Sequence, residues 1–223
     1  MNWYKVRHFI AYLFTARHRK GYGIHSPFVF DLVRETVCQK QRYYFFDKIA
    51  GIRKSYLNDH KKLEITDLGT GGDRNPQQTR TVSQIARCAA VRPKYGELLS
   101  RLVVRFSPQT IVELGTSLGI GTMYMAFVNR KSNVLTIEGC PQILSIAHQT
   151  FVHENLPYVK CVQGDFDDVL EPLLKQVDKV DFAFIDGNHR GKATLKYFEA
   201  FLGKVHNNSV LVFERHPFVI PYA

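Results

Sequence analysis

The sequence lacks the features of a disulfide-rich, membrane-spanning or repetitive protein. Its four cysteines lie far apart without a C-x-x-C pair, at Cys38, Cys88, Cys140 and Cys161. Neither a disulfide framework nor a zinc knuckle is therefore expected. No apolar run approaches the roughly 18 residues that a transmembrane helix needs, and no signal-peptide pattern opens the chain. Repeats and low-complexity segments are also absent. We expect a cytoplasmic protein.

Charge is present but unevenly distributed. The 223 residues are 45% hydrophobic and 22% charged, a composition typical of an ordinary globular chain. Of the net charge of +10, residues 1–60 carry +7, from 11 Lys/Arg against 4 Asp/Glu. A basic segment can bind nucleic acid or a membrane surface, but it is more often the solvated face of helices. We favour the solvated face and do not expect a nucleic-acid partner.

The first 90 residues predict a helical elaboration. Apolar residues recur at helical spacing over 3–19, and Ser26-Pro27 is typical of a helix start. Further helices are predicted at 28–40, 45–57 and 81–90. The aromatic run at 43–46 is interpreted as core between helices.

Residues 58–78 predict a loop within this elaboration. Ile65 to Gly72 resembles a cofactor-binding turn. However, the charged Lys61, Lys62 and Glu64 leave almost no apolar strand before it, and Asp73 to Pro76 cannot open a helix after it. We interpret the segment as a loop near the functional site.

From residue 91 onward the pattern predicts one domain, 91–223, of the α/β class. Helix 94–106 comes first, and then strands and helices alternate. The predicted strands are 110–114, 133–138, 159–162, 180–186 and 209–213, and the helices between them are 120–130, 141–153, 167–176 and 191–204. Strands joined by crossover helices favour a Rossmann-like, doubly wound, mainly parallel sheet.

The most informative stretch follows the first of these strands. Gly115, Gly119 and Gly121 form a glycine-rich turn that opens a helix, as cofactor-binding turns of doubly wound sheets do. The residues expected to contact a cofactor here are Gly115, Thr116, Ser117, Gly119, Gly121 and Thr122.

The residues around this turn favour S-adenosyl-L-methionine over a dinucleotide. The spacing is G-x-x-x-G-x-G, not the G-x-G-x-x-G that a pyrophosphate needs. Glu113 would repel a pyrophosphate but attract the ammonium group of S-adenosylmethionine. Glu138, with Gly139, ends the second strand where an acid commonly binds ribose hydroxyls. Asp165 and Phe166, after the third strand, are candidates for binding adenine.

These motifs resemble the class I S-adenosylmethionine-dependent methyltransferases. The likeness runs from Lys94 through the glycine turn to Gly164-Asp165-Phe166 and to the run 184–189. It is closest to the small-molecule O-methyltransferase branch that resembles catechol O-methyltransferase, and the run 23–31 is similar to a lead-in of uncharacterised bacterial members. The resemblance implies methyl transfer to a small molecule, at oxygen.

The acceptor side is predicted at the end of the fourth strand. Asp186 and His189 are the candidate catalytic residues, His189 as a base if the acceptor must lose a proton; a polar helix cap is the alternative. Asp186 is also a candidate cofactor contact. In the metal-dependent branch Asp186 would correspond to a magnesium ligand, and an Asp-Asn pair after the fifth strand would supply two more. This chain has Glu214-Arg215 there, so no metal is expected.

The resemblance also implies two further strands after residue 214. The remaining nine residues contain two prolines and do not predict them. Either a partner chain, such as a second copy, covers the edge of the fifth strand, or the sequence is a truncated or frame-altered form of a longer enzyme. We favour the truncated form. Two other functions stay open: a cofactor-binding remnant without catalysis, and a nucleic-acid methyltransferase.

Overall fold

The computed structural model describes residues 25–65, 78–188 and 191–214, which divide into two compact units at Tyr43/Tyr44. In the first unit, helix α1 (Pro27–Leu32) is continued by a π-helical segment, Val33–Val37. The Ser26 hydroxyl caps α1 by accepting from the Val29 amide at 3.4 Å, which confirms the predicted helix start. The predicted helix 3–19 lies outside the described residues.

The second unit holds a five-stranded sheet, a two-stranded hairpin and seven helices among its described residues. In chain order its elements are α2 (Phe45–Leu57), β1 (Lys62–Ile65), β2 (Gln78–Thr81), α3 (Val82–Cys88), α4 (Pro93–Phe106), β3 (Thr110–Leu114), α5 (Ile120–Ala126), β4 (Asn133–Glu138), α6 (Pro141–His153), β5 (Val159–Gln163), α7 (Phe166–Lys175), β6 (Phe182–Ile185), α8 (Gly191–Leu202) and β7 (Val210–Phe213). None of the described helices is both long and apolar enough to cross a membrane.

The large sheet confirms the predicted fold class. Its strand order is β5-β4-β3-β6-β7, and every neighbouring pair is parallel. The central strand β3 is buried from Ile111 to Leu114, because helices cover both faces of a doubly wound sheet. The order reverses beside β3, and ligands of such sheets bind at the carboxyl ends of the strands at that point.

The sheet and two of its helices share one apolar core. One face of β3, β4 and β6 packs against helices α7 and α8, whose buried residues include Leu170, Leu174, Tyr197 and Phe201. Tyr197 and Phe201 are among the largest fully buried side chains of the described residues. This packing fixes the C-terminal ends of the strands, where the predicted site lies.

The prediction that residues 58–78 form a loop is wrong for residues 62–65. Strand β1 pairs antiparallel with β2, and its side chains alternate between exposed and buried. Leu63 and Ile65 are the buried pair. Two apolar residues are enough to form this strand because it also packs against α6. There the Glu64 amide donates to Gln142 Oε1 at 3.0 Å. Residues 66–77 lie outside the described part.

The compact unit that contains the sheet begins at Tyr44, so the predicted domain boundary after residue 90 falls inside it. Helix α2 belongs to this unit through aromatic packing. The Phe45 ring stacks on Phe127 at 5.7 Å, and Phe46 lies 5.5 Å from the Tyr124 ring. This confirms a core role for Phe45 and Phe46, whereas Tyr44 is 80% exposed.

Gly96 allows helices α4 and α5 to pack closely. A Cβ at this position would lie 2.2 Å from Cδ2 of Tyr124, whose side chain is buried and cannot move aside freely. We expect Gly96→Ala to lower the free energy of unfolding by about 1–3 kcal/mol. Chemical denaturation measures this change. An unchanged midpoint would show that α4 and α5 can move apart without a loss of stability.

Candidate functional site

The ends of strands β3, β4 and β5 are tied together by backbone and side-chain hydrogen bonds. The amides of Gly115 and Thr116 both donate to the carbonyl of Ile137, at 3.0 and 3.1 Å, and the Gly164 amide donates to the carbonyl of Glu138 at 3.1 Å. Three predicted segments, the glycine turn, the ribose acid and the adenine loop, therefore meet at one edge of the sheet.

The ends of β6 and β7 join the same edge. The Asp186 amide donates to the Leu114 carbonyl at 2.8 Å, and the Glu214 amide donates to the Ile185 carbonyl at 3.0 Å. Asp186 thus lies directly beside the turn that begins at Gly115. The predicted residue His189 lies outside the described residues.

The glycine turn uses backbone conformations that ordinary side chains avoid. Gly115 has φ of 103° and Gly119 has φ of 78°. A Cβ on Gly115 would lie 2.3 Å from the Asp186 carbonyl oxygen, and one on Gly119 would lie 2.6 Å from the Phe151 ring. Ser117 between them also has positive φ, 47°, and its Oγ is buried without a hydrogen-bond partner. The turn is therefore tightly specified by its sequence.

The Glu113 side chain lies beneath the glycine turn, surrounded by protein, whereas the sequence predicted a contact with the ammonium group of the cofactor. The side chain is completely buried, and its Oε2 accepts from the hydroxyl of Thr122 on α5 and from that of Thr136 on β4, the latter at 2.6 Å. Thr136 in turn lies 2.6 Å from the Thr116 hydroxyl. Burial raises the pKa of Glu113 to about 7, although both hydroxyls oppose the shift. The Glu113 carboxyl, on β3, is thus connected by hydrogen bonds to helix α5 and strand β4, and through Thr136 to the glycine turn.

Glu138 is held in a fixed orientation. Its Oε2 accepts from the Ser117 amide at 2.9 Å, and its Oε1 accepts from the Cys140 amide at 3.0 Å. Burial raises its pKa, and these amide donors, with that of Gly139, limit the rise. The two carboxylate oxygens offer about four acceptor positions. The Ser117 and Cys140 amides use two of them and the Gly139 amide lies close to a third, so at least one position is left for a ligand hydroxyl.

The segment after β5 has a clear structural role. Asp165 caps helix α7, since its Oδ1 accepts from the Asp167 amide at 2.9 Å. Phe166 lies against the turn after β6, where a Cβ on Gly187 would be 2.4 Å from its ring, and it meets the Tyr197 ring edge-on at 5.7 Å. Contacts of Asp165 and Phe166 with adenine stay a prediction.

Asp186 and Glu214 form a pair of neighbouring carboxyl groups. Burial, together with the charge and hydrogen bond of Glu214, raises the pKa of Asp186 to about 10. At neutral pH the pair therefore holds a proton, because two adjacent carboxylates cannot both ionise cheaply. Within the described residues, no three His, Cys, Asp or Glu side chains are grouped as a metal site would need.

Sequence reasoning missed two residues of this region. Asn188 has φ of 50°, and its amide nitrogen donates to the Tyr197 hydroxyl at 3.0 Å while its Oδ1 is buried without a partner. Thr136 carries the hydroxyl link to Glu113. The signal for Thr136 was available, because it is the polar residue in an otherwise apolar stretch, 134–137.

Comparison with known protein families gives one match. Residues 112–214 match a family described as a methyltransferase domain. The matched range begins within β3 and ends at Glu214, so it contains the C-terminal part of β3, the other four strands of the parallel sheet and the site. A search of curated proteins found no match.

Several solved structures have a similar fold. An O-methyltransferase from Bacillus cereus in complex with SAH is 20% identical with a TM-score of 0.56, the match covering 78% of this chain and 67% of that one. The O-methyltransferase TomG from Streptomyces achromogenes, in complex with SAM, is 19% identical with a TM-score of 0.55, at 78% and 66% coverage. The SAH-bound methyltransferase PaMTH1 from Podospora anserina is 18% identical with a TM-score of 0.53, at 79% and 73%.

At these identities the likeness establishes the fold alone. This chain matches about two thirds of the length of the Bacillus and Streptomyces structures. The shared architecture confirms a Rossmann-like domain with a parallel sheet.

Proposed function

We propose, from the match of residues 112–214 to a methyltransferase domain family, that the chain is a class I S-adenosyl-L-methionine-dependent methyltransferase acting on a small molecule at oxygen. The observation that carries the proposal is Glu138, whose carboxylate is oriented by backbone amides and keeps at least one acceptor position for a ligand hydroxyl. The solved neighbours in complex with SAH or SAM support the same cofactor.

The residues at the edge of the sheet fit this cofactor. Glu138 would accept from the ribose hydroxyls, and the turn from Gly115 to Gly119 would let the amino-acid portion approach the backbone. Ser117 Oγ, buried without a partner, supplies a polar group in that turn. When bound, the cofactor supplies an electrophilic methyl group on a positively charged sulfur.

The role of the chain in the transfer step is to hold and orient, because an in-line displacement depends mainly on alignment. Asp186 and Glu214 line the end of the sheet beside the glycine turn and share a proton there. We propose Asp186 and His189 as the residues on the acceptor side. An acceptor hydroxyl would donate to the ionised member of the carboxyl pair, which would fix its oxygen toward the cofactor.

We also propose a cytoplasmic location.

A second copy of the chain is proposed as the partner that covers the edge of the sheet. In the described part of the chain, β7 pairs with β6 on one side alone, and unpaired strand edges promote association. Size-exclusion chromatography with light scattering tests this, and a monomer at high concentration would contradict the partner.

Calorimetric titration with S-adenosylhomocysteine tests the cofactor assignment. We expect saturable binding with one site per chain. A folded sample that shows no heat of binding at millimolar ligand would contradict the proposal. Binding without turnover on a broad panel of hydroxyl acceptors would instead indicate a cofactor-binding protein without catalysis.

Glu138→Ala is expected to weaken S-adenosylhomocysteine binding by about 10- to 100-fold. The estimate follows from losing a charged hydrogen-bond acceptor, worth about 1.5–3 kcal/mol. Glu199→Ala is the matched control, because Glu199 is exposed on helix α8 and its removal should leave the dissociation constant unchanged. Equal affinities of the Glu138→Ala variant and the wild type would refute the ribose assignment.

A further inference from the structure

The Glu113 carboxyl is a buried acid without a charged partner among its hydrogen bonds. Both donors to it are neutral hydroxyls, those of Thr122 and Thr136, and both reach Oε2. Its Oε1 is buried with no hydrogen-bond partner and lies against the first turn of α5, 2.9 Å from the Cβ position of Gly121. An ionised carboxylate in this position would be largely uncompensated, which is costly in a protein interior.

The hydroxyl donors form a chain that leads from the glycine turn to Oε2 of Glu113. Each hydroxyl has one proton to donate. Since Thr136 donates to Glu113, it must accept from Thr116, and the order is Thr116 to Thr136 to Glu113. Thr116 belongs to the glycine turn, so the protonation state of Glu113 is connected to the turn by two hydrogen bonds.

The ionisable groups around Glu113 are acids. Glu138 ends the neighbouring strand β4 and raises the pKa of Glu113. Glu113 itself raises the pKa of Cys161 on β5 and that of Asp186 after β6. Glu214 follows β7 beside Asp186, and the ionisable side chain of α5 is the phenol of Tyr124. A cation bound among these groups would favour their ionised forms.

We propose that the Glu113 carboxyl binds a proton in the free protein and releases it when a ligand with net positive charge binds at the glycine turn. This inference rests on the proposed function, because S-adenosylmethionine carries an ammonium, a carboxylate and a sulfonium and is therefore a net cation. S-adenosylhomocysteine lacks the sulfonium and has no net charge. Methyl transfer breaks the S–CH3 bond, forms the O–CH3 bond and releases the hydroxyl proton of the acceptor, and it leaves the uncharged S-adenosylhomocysteine in the site. With the positive charge gone, Glu113 binds a proton again, so its protonation state differs between the complexes with cofactor and with product.

Burial places the pKa of Glu113 at about 7, so the group is partly protonated near neutral pH. Linkage then fixes the sign: affinity for S-adenosylmethionine rises as pH increases through this region, because fewer protons have to be displaced. At pH 7 we expect release of about half a proton per bound S-adenosylmethionine, and a clearly smaller release for S-adenosylhomocysteine.

Isothermal titration in phosphate and in Tris, which differ in ionisation enthalpy, measures the protons released. We compare the wild type with Glu113→Gln, which keeps the shape of the side chain but cannot ionise. The release that wild type shows beyond Glu113→Gln belongs to Glu113, because protons from the amino group of the ligand are common to both proteins. Equal release in the two proteins, or equal release with both ligands, would overturn the inference.

Thr122→Val provides a second test if Glu113→Gln does not fold. The Thr122 hydroxyl lowers the pKa of Glu113, so its loss should move the pH of maximal proton release upward. An unmoved maximum would contradict the inference. Wild-type protein that is folded but binds neither ligand would instead refute the proposed function itself.

Discussion

Replacing Gly115 with alanine is expected to destabilise the domain by about 2–6 kcal/mol and to abolish cofactor binding. Two costs combine at this position. A φ of 103° is strained for any side chain, at about 1–3 kcal/mol. The new Cβ would also lie 2.3 Å from the Asp186 carbonyl oxygen, which forces β3 and β6 apart, at a further cost of about 1–3 kcal/mol. This is a large part of the stability of an ordinary domain.

Urea denaturation followed by circular dichroism measures this change. Gly51→Ala is the matched control, because Gly51 is exposed in helix α2 and a Cβ there meets nothing within 4 Å. That substitution should stabilise the protein by about 0.5–1 kcal/mol, since alanine favours helix more than glycine does. If both variants gave similar urea midpoints, Gly115 would not lie as close to the Asp186 carbonyl as the structure has it.

Glu113→Gln is expected to make the protein relatively more stable at alkaline than at acid pH. The folded pKa of Glu113, about 7, is above its ordinary value of 4.5. Its stabilising contribution is therefore full below pH 4.5 and is lost as pH rises to about 7 and beyond. The glutamine variant does not undergo this loss. Between pH 5 and 8 the stability of the variant relative to wild type should increase by about 2–3 kcal/mol.

Denaturation curves at pH 5 and pH 8 give this difference directly. The contribution of Asp186 to stability also falls over this range, because its pKa is raised to about 10. Glu113 contributes to that rise, so the difference between the two proteins includes the coupling between the two acids, which acts in the same direction. Glu199→Gln, at an exposed helical position, should show no such change. A constant offset between wild type and Glu113→Gln at the two pH values would mean that Glu113 is ionised throughout.

The strand and helix pattern was predictable because it is local. Strand Thr110–Leu114 and helices Phe45–Leu57 and Pro141–His153 have the predicted bounds, since apolar periodicity and prolines at helix starts are visible in the sequence. Strand β1 was not predictable in this way. Its two apolar residues gain their burial from β2 and α6, contacts that lie 13 or more residues away along the chain.

The sequence by itself determined the α/β class, the order of the elements, and the glycine turn followed by acids at the ends of successive strands. Those features depend on residue type and spacing alone. The tertiary structure decided what each acid does. Glu113 is buried and accepts from two threonine hydroxyls, Glu138 is oriented by backbone amides, and the carboxyl group of Asp186 lies beside that of Glu214. Burial and neighbouring charge set the protonation of an acid, and both arise from strands that are distant in sequence and adjacent in the sheet.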